Sequence, residues 1–328
     1  MTTMHTRNAV LHSVTTPTPE PGLYRCTHRT VTTHDGVALA VRDHWPPTPI
    51  EHTVVLLHGL CLTQLSWENQ INQLQRSDHP GLRIISYDHR GHGRSTSAPL
   101  DSYSIHQLAS DLSEVLAALH VTGPTTLAGH SMGGMCALAY LARPAGHQPV
   151  QPSGLVLVAT AAGRLTDHGL GRLLATPGLL TLTGLIDYAP HRAAEHLLRT
   201  LARPIWALLT HHNAFGPAER STLAAAADGL ERTPWTTALG FLRALKNYDQ
   251  RSTLSRITAA TTVISGGVDV LTPPAHSHEL AGTIPNATHI HWPTAGHMLL
   301  HEAAHTVSDV ISGLISAGRT ATILTAGT

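Results

Sequence analysis

At 328 residues the chain can bury a substantial core, and Lys plus Arg (21) equals Asp plus Glu (21). That balance leaves no basic surplus for nucleic acid or an anionic membrane, and no stretch is long and apolar enough to span a bilayer. The first twenty residues lack a signal-peptide core, and Cys26, Cys61 and Cys136 form neither a disulfide framework nor a metal spacing, so a reducing cytoplasm is the expected setting.

In chain order, residues 1–22 are rich in Thr and Pro and read as a loose arm. Arg29 to Thr33 and Val37 to Trp45 read as two strands joined by a turn at Asp35-Gly36. Thr53 to Leu57 is an aliphatic strand running into His58-Gly59-Leu60-Cys61. Trp67 to Arg76 reads as a helix with Ser66 as its N-cap. Leu82 to Tyr87 is a strand, and Ile105 to Leu119 is a helix whose Leu108, Leu112, Val115, Leu116 and Leu119 share one apolar face. Thr125 to Ala128 is a short buried strand, Met132 to Ala142 a helix, and Gly154 to Ala159 the next strand. From Gly163 to Asp249 the alternation breaks into a mostly helical stretch punctuated by Pro177, Pro190, Pro204, Pro217 and Pro234. The strand–helix rhythm resumes at Ile257, with strands at Thr262 to Ser265 and Thr288 to Trp292, then a helix from about His301 and a tail over 319–328. Strands alternating with helices predict an α/β fold.

The chemistry centres on Gly129-His130-Ser131-Met132-Gly133, which sets one serine on a sharp turn between strand and helix. Glycine is needed at 129 and 133 because a side chain there would collide as the backbone doubles back. A serine hydroxyl attacks poorly at neutral pH and needs a base, itself oriented by an acid. Asp269 stands on the loop past the Thr262 to Ser265 strand, and His297 on the loop past Thr288 to Trp292. They are the expected acid and base for Ser131. The backbone N–H groups of Met132, after the serine, and Leu60, after His58-Gly59, are the expected oxyanion-hole donors.

With these residues in place, the chain resembles the α/β-hydrolase superfamily, in the serine esterase and lipase-like group with a helical cap. Tyr87-Asp88-His89-Arg90-Gly91-His92-Gly93-Arg94-Ser95 is similar to the D-x-R-G-x-G-x-S loop after the fourth strand in that group, and the likeness covers roughly residues 30–160 and 250–316. The resemblance implies a mostly parallel eight-stranded sheet flanked by helices, with a helical cap inserted after strand 6. Residues 23–162 and 250–318 would form the core and 163–249 the cap. It also implies nucleophile Ser131, acid Asp269 and base His297, in that chain order, and no cofactor.

Asp88 and Arg90 are expected to tie their loop to the sheet, and His58 to hydrogen-bond within its own loop. His58, His130, Trp206 and Met298 are the candidates for lining a substrate pocket, His130 as a supporting neighbour. The cap segment carries many apolar residues, from Leu170 through Trp206 and Phe215 to Trp235, which suits a small lipophilic substrate or simply packs the cap. Histidine is abundant (26), but pairs such as His211-His212, His276/His278 and His289/His291 lack a closed zinc spacing. The expected reaction is hydrolysis of a carboxylic ester, or a thioester or lactone, through an acyl-enzyme. The same triad would also serve a C–C bond hydrolase, a biosynthetic acyl-transfer or cyclisation enzyme, or a cofactor-free haloperoxidase or perhydrolase. A non-enzymatic ligand receptor on the same scaffold is the reading of another class.

Overall fold

The structure is a computed structural model, and it describes residues 10–14, 24–165, 167 and 233–326. Nine strands form one sheet in the order β1-β2-β3-β5-β4-β6-β7-β8-β9. They are β1 (Val10–Val14), β2 (Arg25–Thr32), β3 (Ala38–Trp45), β4 (His52–Leu57), β5 (Leu82–Tyr87), β6 (Thr125–His130), β7 (Gly154–Val158), β8 (Ala260–Gly266) and β9 (Thr288–Trp292). β1, β2, β3 and β5 pair antiparallel in turn, and every pairing from β5 through β4 to β9 is parallel.

The central strands are aliphatic on both faces because helices cover both faces of a parallel sheet. Their side chains alternate accordingly. Val55, Leu57, Ile85, Tyr87, Leu127, Leu155 and Leu157 face one core, with α2 (Ile105–Ala118), α3 (Met132–Leu141) and α4 (Trp235–Lys246). Val54, Leu56, Ile84, Ala128, Val156 and Ile264 face the other, with Trp67, α1 (Glu68–Leu74) and a C-terminal helix beginning at Ala304. α2 starts at Ser104, whose hydroxyl accepts the Gln107 N–H at 3.0 Å and so caps one of the unpaired amides of the first turn.

The structure differs from the sequence reading at four places. The sheet gains a ninth strand because Val10–Val14, expected in the loose arm, pairs along β2 from Val10↔Thr32 to Val14↔His28. β2 itself begins at Arg25 rather than Arg29. Such edge pairing is a tertiary interaction, with no sign in a five-residue stretch beside prolines. At the second helix, a 3-10 turn over Gln64–Trp67 precedes α1, and Thr63, not Ser66, accepts the first amide, from Leu65. At the C-terminus, the residues expected as a tail continue a helix to Ala326.

The departure to residues 163–249 follows β7, the sixth strand if β1 is set aside. The Gln250 N–H donates to the Ala162 carbonyl at 2.7 Å, so the chain leaves and re-enters the body at one junction. Within the segment, α4 lies on the body: Phe241 is fully buried in the first core, and the Thr237 hydroxyl donates to Tyr103 Oη at 2.9 Å. Trp206 and the apolar run from Leu170 to Phe215 lie outside the described residues.

Candidate active site

The candidate side chains come from loops at the carboxyl ends of parallel strands, where open α/β sheets place their ligands. Ser131 follows β6 with φ +52° and ψ −119°, a backbone geometry that costs a side-chain-bearing residue on the order of 1–3 kcal/mol. Four hydrogen bonds hold it there. The Ser131 N–H donates to Val158 O at 2.9 Å, and its carbonyl accepts from Thr160 Oγ1 at 2.7 Å, Gly134 N at 2.9 Å and Met135 N at 3.2 Å. The glycine argument from sequence holds: a Cβ on Gly133 would lie 2.1 Å from the Leu57 carbonyl oxygen, and one on Gly129 would lie 2.5 Å from the Gly133 backbone.

Asp269 and His297 meet. Nδ1 of His297 lies 2.8 Å from Asp269 Oδ2, and both residues are buried. The other carboxylate oxygen accepts the N–H groups of Leu271 and Thr272 at 2.8 and 2.9 Å. Thr272 Oγ1 donates to Oδ2 at 2.8 Å, on the same oxygen that faces the imidazole. Burial works to raise the Asp269 pKa, but the nearby His297 and these donors outweigh it and hold the carboxyl below the usual range. With Nδ1–H on the carboxylate, Nε2 is left as the basic nitrogen of His297. Ser131 Oγ makes no hydrogen bond to His297 here, a bond that tightens on substrate binding.

The loop carrying Leu60 runs beside the serine: a Cβ on Gly59 would lie 3.2 Å from Ser131 Cβ and 3.0 Å from His130 Nδ1. No acceptor among the described residues takes the N–H of Leu60 or of Met132. Three buried imidazoles hold this loop. His58 donates from Nδ1 to Gly59 O at 2.8 Å and accepts the His89 N–H on Nε2 at 2.9 Å. His89 Nε2 donates back to His58 O at 3.1 Å. His92 Nε2 accepts the N–H of Cys61, itself at φ +57°, at 3.2 Å, while Nδ1 donates to Arg90 O at 3.0 Å. Each bond to a carbonyl fixes a tautomer of a neutral ring. Burial pushes the His58 pKa down to about 4 and that of His92 to about 3, and drives that of His89 well below its usual value.

The side chains of Asp88 and Arg90 tie their loop not to the sheet, as expected, but to the 3-10 turn, to the loop itself, to α2 and to the β2–β3 turn. The Asp88 carboxylate takes Gln64 N, Gln64 Nε2 and Arg94 N at 2.8, 3.0 and 2.9 Å. The fully buried Arg90 guanidinium makes bidentate bonds to Asp111 at 2.7 and 2.6 Å and reaches Asp35 at 2.8 Å.

Of the residues expected to line a pocket, His58 and His130 have no exposed surface, Met298 is buried, and Trp206 lies outside the described residues. Both His58 nitrogens are engaged within the protein, so its ring is scaffold. His130 donates from Nε2 to the His297 carbonyl at 2.9 Å, a supporting contact, and burial lowers its pKa to about 3. Sequence reasoning missed Thr272, His89, His92 and Glu302, the last of which accepts the N–H groups of Gly296 and Met298. Only the spacing of Thr272 and Glu302 from Asp269 and His297 could have drawn attention to them. His278, His289 and His291 gather near Ser265, whose Oγ lies 2.9 and 3.0 Å from His289 and His291. Among the described residues no set of three or more His, Cys, Asp or Glu is arranged to hold a metal ion, and no helix is long and apolar enough to cross a membrane.

A family model described as the alpha/beta hydrolase fold matches residues 52–304. The chain is 30% identical over 253 residues to RutD of Serratia proteamaculans (strain 568), a provisionally named carbamate hydrolase, spanning 77% of this chain and 86% of that one. Among solved structures, an esterase from Exiguobacterium antarcticum superposes with a TM-score of 0.66 at 21% identity, covering 88% of this chain and 98% of that one. An enol-lactonase from Burkholderia xenovorans LB400 does so at 0.66 and 22%, covering 85% and 97%. Strand order, strand-end loops and these matches lead to one assignment: the chain belongs to the α/β-hydrolase family and is a hydrolase of that fold.

Proposed function

We propose that the protein cleaves a small lipophilic carboxylic ester through an acyl-enzyme on Ser131. The observation that carries this reading is the 2.8 Å Asp269–His297 pair, set at the same sheet edge as a serine held at positive φ. Ser131 Oγ attacks the acyl carbon while His297 Nε2 takes its proton, and Asp269 keeps the ring in the tautomer that leaves Nε2 free. Negative charge on the carbonyl oxygen meets the N–H groups of Leu60 and Met132, each such donor contributing about 3–4 kcal/mol to the transition state. The tetrahedral intermediate expels the alcohol, protonated by His297. Water, deprotonated by the same nitrogen, then releases the acid.

The names borne by similar proteins support this class. Carbamate hydrolase, esterase and enol-lactonase all denote attack on an acyl carbon bearing a heteroatom leaving group. The lipophilic preference rests on the apolar composition of residues 163–249. The test is a panel of p-nitrophenyl esters, lactones and carbamates, run beside a fluorophosphonate probe. Turnover on at least one acyl substrate and labelling of Ser131, both abolished in Ser131→Ala, are expected. A folded wild-type protein that neither labels nor hydrolyses any member of the panel overturns the reading and leaves the receptor or C–C hydrolase in its place.

A further inference from the structure

We propose that Glu302 is a positioning residue for His297, gripping the chain on both sides of the imidazole. The inference rests on the role given to His297 above and adds how its loop is held. The Glu302 side chain reaches back from the end of a short helix, Leu299–Glu302, to the loop that carries His297. Its Oε2 accepts the Gly296 N–H at 2.8 Å and its Oε1 the Met298 N–H at 3.1 Å. The peptide unit after His297 is therefore held at both ends, its N–H by Glu302 and its carbonyl by His130 Nε2 at 2.9 Å. His130 directly precedes Ser131, so the same contact ties the base loop to the nucleophile turn.

The residue type matters. A carboxylate offers two oxygens that only accept, which two converging N–H groups require, whereas a Gln side chain would aim its own NH2 at one of them. Among the described residues no cation forms an ion pair with Glu302, so the amides of the base loop are its partners. The helix that bears it is anchored in turn, because Gln70 Nε2 donates to Leu300 O at 2.8 Å. The carboxylate stands in the wall of a groove of about 340 Å³ that it shares with Asn69, Gln73, Trp292, His301 and His305. Burial raises the Glu302 pKa and the two amides oppose the rise. Asp269 pushes in the first direction and His297 in the second.

The experiment compares full-length wild type with Glu302→Gln, using p-nitrophenyl butyrate, the fluorophosphonate probe and ¹⁵N-histidine NMR. In Glu302→Gln, kcat and the labelling rate should fall about 10- to 100-fold, as expected when a reacting group is misplaced by a fraction of an ångström to one ångström. KM should stay within about twofold, and the His297 Nδ1–H resonance should broaden. Unchanged kcat and an unchanged Nδ1–H signal in a folded Glu302→Gln overturn the proposal, even if its melting temperature drops. Wild type that neither labels nor turns over overturns the hydrolase reading instead, a separate outcome. If Glu302→Gln does not fold, wild type supplies the second measurement. The amide signals of Gly296 and Met298 should move with the ¹³C signal of the Glu302 carboxyl as pH is lowered, not with the rings of His297, His301 or His305 or the carboxyl of Asp269. Amides that ignore the Glu302 carboxyl overturn the proposal.

Discussion

The nucleophile turn and the base loop solve the same problem, holding one side chain still, by different physical means. Ser131 is held mainly by the backbone, through a positive φ, glycines packed against carbonyls and main-chain bonds, with one side-chain bond from Thr160. His297 and Asp269 are held by side chains, through Thr272, Glu302 and His130, each reaching across a loop to a specific atom. Damage to the first should therefore appear as lost stability, and damage to the second as lost rate in a folded protein.

The sharpest test of that division is Asp269→Asn. The amide keeps the shape of the acid but favours the wrong imidazole tautomer, so kcat on an ester substrate should fall about 10⁴-fold. Circular dichroism should show the fold retained. Unfolding of the variant would break the comparison, because it would make the base side structural.

Acid should strike both sides through the buried imidazoles, which hold the Leu60 loop and, in His130, the base loop. Burial lowers the pKa of His58 to about 4 and those of His92 and His130 to about 3, and drives that of His89 well below its usual value, so all four are neutral in the folded state near neutral pH. Unfolded histidine titrates near 6.5, so below that pH the unfolded chain binds protons that the native chain does not. Native stability is then lost progressively from about pH 6.5 down towards the folded pKa values. Four such groups cost on the order of 5 kcal/mol by pH 5.5, against a typical total of 5–15. Urea midpoints measured from pH 7.5 to 5.0 should fall steeply, and His92→Gln should flatten the slope by about one proton. A flat profile would mean these rings are hydrated.

Gly133→Ala comes next. Its Cβ would meet a carbonyl of β4 at 2.1 Å, where backbone and not a flexible side chain must yield, so a loss of about 3–4 kcal/mol in unfolding free energy, measured by urea titration, is expected. Stability equal to wild type would show that the turn can open. The smallest effect belongs to Thr272→Val, a nearly isosteric change that removes one hydrogen bond to the Asp269 carboxylate. About a tenfold loss of kcat with unchanged folding is expected from steady-state kinetics.

The same division explains what could be read from the sequence. Backbone devices leave a local signature: Gly129 and Gly133 flank Ser131 within five residues, and apolar runs mark β4, β6 and β8 as strands. That Asp269 and His297 would meet was legible because each stands on a loop past a strand. Side-chain devices leave little. Nothing near Glu302 says that its carboxylate turns back onto Gly296 and Met298, and Thr272 reads as an ordinary residue before two prolines. His89 and His92 fell inside a motif read as structural, but their grip on the loop of Leu60 depends on β4 and β5 lying side by side. β1 escaped because, among the described residues, it pairs only with β2, and five residues carry no local sign of that pairing.

The clasp between the Ala162 carbonyl and the Gln250 amide has an evolutionary corollary. A detour whose two feet share one hydrogen bond can lengthen or shrink while the strands on either side keep their register. Chain entropy charges such growth lightly, about 0.6 kcal/mol for each doubling of a flexible loop. The length of chain between those two residues is thus free to diverge between relatives at a pace that the elbow, pinned atom against atom, cannot follow.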